Sequence, residues 1–262
     1  MMNLKTISDK WNIKSLLIIA FWLILWEIAD RMVDNRIILV GPVHIVQALI
    51  MQIQKSDFWI ICGASFVRIA LGFLLSCAGG FLLAILCYRF RLLRDFLEPV
   101  MSLLKTVPMV SFVIMLLIWV GNQALTIYLS FLIVLPLIYT NTLTGLLNVN
   151  QEMLEMAETF QISRWKKFLY IYRPSFMPFL TSGCKVALGM SWKSGIMAEV
   201  LATPKPSIGR EMYAAKSYLQ TANLFAWTVV VIALSYIFEK LFLSLLRRLN
   251  RPGGTLLTKK EG

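Results

Sequence analysis

The sequence predicts an all-α, polytopic membrane protein with about six transmembrane helices, and three observations carry that reading. Of its 262 residues, 58% are hydrophobic and only 15% are charged. The mean hydropathy is +0.71, far more apolar than a water-soluble domain. The apolar residues collect in runs of about 20, the number a helix needs to cross roughly 30 Å of hydrocarbon. The basic residues, which bring the net charge to +12, fall in short clusters beside those runs, where a membrane surface holds them. Nucleic acid is a poor partner for such a chain, since no recognised motif or aromatic-and-basic groove accompanies the charge.

Taken in order, the candidate spans are Ser15 to Ala29, Cys62 to Tyr88, Met101 to Val120, Ala124 to Leu146, Phe179 to Val200 and Asn223 to Leu245. The first is short and carries Glu27, so its helix is expected to begin before Ser15. It resembles a signal peptide, with Lys5, Lys10 and Lys14 ahead of it, but no small-residue cleavage site follows, and it reads as a retained helix. Between the first two runs, Gly41-Pro42 opens a stretch from His44 to Gln54 whose Ile45, Leu49 and Ile53 recur at four-residue spacing, the pattern of an interfacial helix. Gly121-Asn122-Gln123 leaves room only for a tight turn between the third and fourth runs. The longest polar stretch, Asn148 to Arg173, separates the fourth and fifth, and Pro174 and Pro178 are expected to stop helices there.

Lysine and arginine remain on the cytoplasmic side during insertion. Six spans place both termini together, and that side collects fifteen basic residues against six on the other, with five within or at the edge of spans. Both termini and the segment from Asn148 to Arg173 are therefore expected in the cytoplasm. The tail from Arg251 to Gly262, with Pro252-Gly253-Gly254, reads as a flexible end.

The second and fifth runs each carry small residues at four-residue spacing, Gly72, Ser76, Gly80 and Ala84 in one and Gly183, Ala187, Ser191 and Gly195 in the other. Each set forms one helix face. Close backbone approach through small residues is a main way that helices associate in lipid, so these faces are expected to be buried against protein. Packing within one subunit, a subunit interface and a translocation path all fit. Lys193 and Glu199 stand six residues apart and do not share a face, so each needs water, a partner or a pore. Together with Ser191 and Gly195 they are the candidate lining of a path. The alternative places Glu199 at the outer interface and has Lys193 neutralise a partner carboxylate for structure.

Residues of catalytic type are sparse. No GxxxxGK[ST] loop occurs, so the chain is not expected to bind ATP itself. His44 is the single histidine, and no HExxH, GxSxG or ligand-flanked carboxylate pair is present. No cofactor or metal is implied. Cys62, Cys77, Cys87 and Cys184 lie in or beside apolar segments without a CxxC pair and read as packing residues.

The segment from Glu152 to Pro174 reads as two short helices with a break. Met153, Leu154, Ala157 and Phe160 give the first an apolar stripe, and Ser163 is placed to cap the second. Such a helix either docks into a partner or packs on its own bundle. Here the sequence resembles the EAA loop of binding-protein-dependent ABC transporter permeases: Glu155-Met156-Ala157 fills the opening, Ile171 the isoleucine position and Pro174 the proline. Met156 stands at the middle alanine, Gln161 at the glycine, where positive φ suits glutamine poorly, and Arg173 at the leucine.

The resemblance continues through Ser65-Phe-Val-Arg68-Ile-Ala-Leu-Gly72-Phe, Glu98-Pro99, Lys105-Thr-Val-Pro108, Trp119-Val-Gly121, Leu135-Pro136, Asn141-Thr142, Ser163-Arg-Trp165 and Ala198-Glu199. These stretches are similar to the nitrate, sulfonate and taurine permease group, from about Leu39 to Arg248. The resemblance implies a MetI-like importer permease fold in a bacterial inner membrane, as one transmembrane domain with its core over about 58–247. It also implies a second permease subunit as a homodimer, two ABC ATPases and an extracellular or periplasmic solute-binding protein as partners. Glu155, Ala157, Thr159, Gln161 and Ser163, with Trp165 and Lys166, would form the ATPase contact. A small anionic or zwitterionic solute would cross: a sulfonate, taurine, nitrate, bicarbonate or a thiamine precursor. A non-transporting scaffold or sensor and a membrane enzyme with an unrecognised site are the rival readings.

Overall fold

The computed structural model describes residues 4–33, 35 and 37–250, and the tail from Arg251 lies outside the described residues. These residues form ten α-helices and no strand: α1 Leu4–Val33, α2 Pro42–Ile53, α3 Phe58–Arg89, α4 Arg91–Thr106, α5 Met109–Leu147, α6 Gln151–Thr159, α7 Arg164–Lys167, α8 Arg173–Ala202, α9 Ile208–Ser217 and α10 Thr221–Asn250. Phe58–Arg89, Met109–Leu147 and Thr221–Arg248 are long and apolar enough to cross a membrane. The first run lies in α1, which begins at Leu4, and the fifth lies in α8; each helix has 30 residues and carries charge along its length.

The third run is not one helix. Val107 is extended (φ −65°, ψ 131°), as the residue before a proline prefers, and Pro108 caps the next helix. The break therefore falls inside the stretch Met101 to Val120. Gly121 then adopts φ 70° and ψ 178°, a region open essentially to glycine alone, and divides α5 into arms at 109–120 and 122–147. The chain reverses there: Phe112, Val113 and Leu116 pack with Leu125, Leu129 and Ile133, and Lys105 Nζ donates to Thr140 Oγ1 at 2.7 Å. Thus α4 and the short arm together lie antiparallel to the long arm, around the tight turn expected at Gly121.

The long arm of α5 lies between α3 and α8, and the small residues let it. A Cβ on Gly72 would stand 2.6 Å from the Ile127 carbonyl oxygen, one on Gly183 2.7 Å from Asn141 Cβ, and one on Gly80 3.0 Å from Ile138 Cβ. Ser76 and Ala187 are fully buried, and Ser76 Oγ donates to the Phe131 carbonyl at 2.8 Å. Both small-residue faces pack within this chain, around a core of Ile69, Phe73, Val134, Ile138, Leu188 and Trp192. α10 closes it with Phe238 edge-on to Phe66 and Phe73.

Two local expectations are corrected. α2 buries Ile45, Ala48 and Gln52, while Ile53 is exposed, because Gln52 Nε2 bonds Asn223 Oδ1 at 3.1 Å and turns that face inward. The prolines after the polar stretch do not stop a helix. The chain stays helical from Arg164 to Ala202 through a π-turn at Phe168–Tyr172. The wider turn bonds Arg173 N to the Phe168 carbonyl, and Pro174 falls in the first turn of α8, where its missing N–H is not needed. Pro178 stands inside α8, held by the buried Phe176 and Met177 beside it.

Candidate coupling elbow and transmembrane site

The elbow between α5 and α8 is built from its caps upward. Asn150 Oδ1 accepts from Glu152 N at 2.8 Å and Met153 N at 3.4 Å and so starts α6. At the other end Gln161 N bonds the Glu158 carbonyl and Ile162 N bonds the Ala157 carbonyl, both at 2.9 Å. With Gln161 at φ 51°, these are the paired bonds of a Schellman closure. The position where the resembling family carries glycine is thus left-handed, and a glutamine fills it. Ser163 takes the extended N-cap conformation of α7, but its hydroxyl makes no capping bond. The capping side chain is Asn150, whose signal was an asparagine directly ahead of a glutamate-bearing first turn.

Ala157 is 0% exposed and packs with Val149 and Ile171, flanked by Leu154 and Ile162. It seats α6 on the bundle and does not reach the outer surface, which corrects its place in the expected contact set. The apolar stripe read from the sequence splits accordingly. Leu154 and Ala157 turn inward, while Met153, Met156 and Phe160 turn outward, with Phe160 73% exposed and Trp165 72%. A nine-residue helix lying on a bundle buries one narrow arc and leaves the rest free. Glu155, Thr159, Gln161, Ser163 and Lys166 are exposed around those apolar residues. Glu158 and Lys167, 3.7 Å apart, close the elbow on its side.

In α8 the candidate path residues separate. Ser191, Gly195 and Glu199 are buried, and Lys193 is exposed. Ser191 and Gly195 belong to the face packed on α3 and α5, where a Cβ on Gly195 would stand 2.6 Å from Ile69 Cγ1, so neither lines a path. Glu199 is the hub of a polar network. Its Oε2 accepts from Ser65 Oγ at 2.7 Å and from Gly209 N at 3.1 Å, and Oε1 lies 3.5 Å from Arg68 Nη1. Ser65 Oγ in turn accepts from Ile208 N at 2.8 Å. Arg68 also donates to the Pro206 carbonyl at 2.7 Å and to Gln123 Oε1 at 3.3 Å. One carboxylate thereby ties α3, the start of α9, the loop before it and the turn of α5 together. Gly209 has no room for a side chain, since a Cβ would collide with Glu199. Sequence reasoning missed this network, because Arg68 and Glu199 are opposite charges in different runs, 131 positions apart.

His44 stands half-buried, 3.9 Å from Asp30 Oδ2. The four cysteines are free thiols, three of them buried. Among the described residues no three His, Cys, Asp or Glu side chains gather as a metal site.

Long apolar helices packed through glycines, with an elbow that exposes an apolar outer face, mark a helical membrane protein. The chain belongs to the family described as binding-protein-dependent transport system inner membrane component, whose pattern matches residues 76–253. It is similar to the nitrate import permease protein NrtB of Leptolyngbya laminosa, at 32% identity over 56% of this chain and 53% of that protein, so this match spans about half of that relative's length. Over 90% of this chain and 85% of the relative it is 25% identical to the putative aliphatic sulfonates transport permease protein SsuC of Bacillus subtilis. Over 86% and 84% it is 23% identical to the taurine transport system permease protein TauC of Escherichia coli. The crystal structure of a bacterial ABC transporter involved in the import of the acidic polysaccharide alginate shares the fold, with a TM-score of 0.58 at 15% identity over 94% of this chain and 97% of that one. This chain is an ABC importer permease of the bacterial inner membrane, in the nitrate, sulfonate and taurine group.

Proposed function

We propose that this permease carries a small anionic or zwitterionic solute, such as a sulfonate, taurine, nitrate, bicarbonate or a thiamine precursor, and that α6 and α7 dock it to an ABC ATPase. The observation that carries the docking is the outward arc of Met153, Met156, Phe160 and Trp165, exposed beside acidic Glu152 and Glu155. Apolar side chains of this size on a helix projecting from a seated elbow form a patch that a groove can bury. Glu155, Thr159, Gln161, Ser163 and Lys166 surround it as the polar rim, and Ala157 acts from beneath by holding the helix in place.

The assembly would contain two copies of this chain, two ATPases and an external binding protein that delivers the solute. The alginate importer was crystallised with its ligand-bound periplasmic protein, which supports the last of these by analogy of fold. The charge asymmetry of the sequence supports a topology with both termini and the elbow in the cytoplasm, where an ATPase is available. Lys193 is the candidate path residue that remains exposed on α8. A lysine at the centre of a membrane helix costs roughly 2.5–3.5 kcal/mol on insertion scales, which favours a watery path over lipid as its surroundings.

Affinity purification of the tagged chain in mild detergent, with an ATPase assay on the eluate, tests the docking. An ATP-hydrolysing subunit should co-purify and should be lost from the doubly substituted Phe160→Ala, Trp165→Ala chain, whose insertion is unchanged. Full retention of that subunit by the double variant would remove the elbow from the contact. Recovery of the native chain alone in several detergents would favour a scaffold that docks no ATPase.

A further inference from the structure

Lys185 belongs to neither the packing faces nor the elbow, yet it shares its surroundings with Lys193. Both are exposed on α8, on the arc that also presents Ser182 and Gly189 and away from the buried Gly183, Ala187, Ser191 and Gly195. Eight residues separate the two lysines, so their stems leave the helix about 12 Å apart along its axis, with Gly189 midway between them. Among the described residues neither lysine makes an ion pair or a hydrogen bond. Gly189 supplies a second, independent observation. Glycine weakens a helix, and Gly183 and Gly195 offset that by letting other helices close in, but beyond its own turn of α8 nothing in this chain lies within 4 Å of a Cβ built on Gly189.

The middle of a spanning helix is the costliest depth for an ammonium group, and Lys185 and Lys193 flank the midpoint of the run from Phe179 to Val200, too deep for their stems to reach both headgroup layers. Two unpaired cations bracketing an uncovered glycine at that depth need water and counter-charge from outside this chain. We propose that Lys185 and Lys193 form a two-step cationic ladder along the translocation path, binding the anionic head of a small solute first at one rung and then at the next. The uncovered backbone at Gly189 leaves room for the solute between them. The proposal rests on the permease reading and adds a residue, Lys185, and a mechanism of passage. Two rungs of equal sign serve conduction, because a second attractive site lowers the cost of leaving the first.

The test reads the local potential directly. Lys193→Cys and Lys185→Cys chains, in native membranes carrying the assembled transporter, are treated with a negatively charged and a positively charged methanethiosulfonate, from each membrane face, with and without ATP. Rates are normalised to those of a free thiol, the native chain gives the background, and a cysteine at exposed, uncharged Ile232 of α10 (Ile232→Cys) is the control. Each lysine-position thiol should favour the anionic reagent by about ten-fold, a preference set by the remaining lysine. That preference should vanish when the remaining lysine is also changed to glutamine. Silence at both positions under every condition, matching Ile232→Cys, would overturn the ladder, as would a preference unchanged by removing the other lysine. Either position suffices if the other variant fails to insert. ATPase co-purification from the same membranes reports separately on the docking of the elbow, so loss of the partner with the anion preference intact would overturn that docking and leave the ladder standing.

Discussion

Gln161 occupies a conformation that its side chain does not favour, and relieving it has a calculable effect. Its φ of 51° is left-handed, which costs an L-residue roughly 1–2 kcal/mol. Glycine escapes that cost but gives back about 0.5–1 kcal/mol through its freer unfolded chain. Gln161→Gly should therefore stabilise the closure of α6 by about 0.5–1 kcal/mol. The bonds that report it are Gln161 N to the Glu158 carbonyl and Ile162 N to the Ala157 carbonyl. Amide exchange at positions 161 and 162, in lipid nanodiscs, should slow by about two- to five-fold. Gln161→Val should accelerate it, since a branched Cβ tolerates positive φ least. Unchanged or faster exchange in the glycine variant, with the valine variant also unaffected, would mean that the turn is not left-handed in the membrane and would refute the argument.

Other consequences follow from named contacts. Glu199→Ala takes the acceptor from Ser65 Oγ and the Gly209 N–H, while Arg68 keeps Pro206 and Gln123, and should cost about 1–3 kcal/mol for each buried donor left unpaired; thermal unfolding in detergent measures it, and Glu199→Gln, which keeps an acceptor, should restore part of the loss. Gly183→Leu drives a side chain into Asn141, whose Cβ already lies 2.7 Å from the site of a new Cβ, and should cost about 1–3 kcal/mol or more, whereas Gly63→Leu, with nothing within 4 Å, should be mild. Ala157→Arg should unseat α6 and uncouple ATP hydrolysis from transport while insertion persists; normal coupled transport in proteoliposomes would show that the buried seat does not matter.

The second, fourth and sixth runs were legible because hydrocarbon thickness sets a length that composition reveals, and the small-residue stripes because a four-residue spacing can only be one helix face. The interruption of the third run at Val107–Pro108 was less visible, since apolar residues continue on both sides and only the restriction that Pro108 places on Val107 divides them. The outward and inward arcs of α6 could not be separated by hydrophobicity, as Met153 and Ala157 are both apolar and only the position of Val149 and Ile171 decides which is covered. Glu199 was singled out, but its role was hidden. A charge in a span reads as pore or interface until its partners are known, and here they come from the distant residues Ser65, Arg68 and Gly209.

The two ends of the elbow are anchored to helices that already act as one block. Gly145 of α5 lies against Phe176 of α8, where a Cβ would come within 2.7 Å of the Phe176 Cα, and Gly183 lies against Asn141. α3 joins them through Gly72 and Gly80. By contrast, most of the described face of α1 is exposed, and its aromatic contact with the bundle is Trp26 edge-on to Phe225 at 6.0 Å. A push on α6 therefore enters α5 and α8 together, and interiors packed this closely move as rigid bodies between discrete arrangements. Cys77 of α3 and Cys184 of α8 belong to one cluster of this block and line one cavity beside Phe81 and Leu180, so a short bifunctional methanethiosulfonate offers a reducible link without mutation. If α3, α5 and α8 rock as a unit, chains shown by mass spectrometry to carry that link should keep solute-stimulated ATP hydrolysis and uptake. If linkage arrests transport and reduction restores it, α3 and α8 must separate during the cycle, and the moving part is smaller than this block.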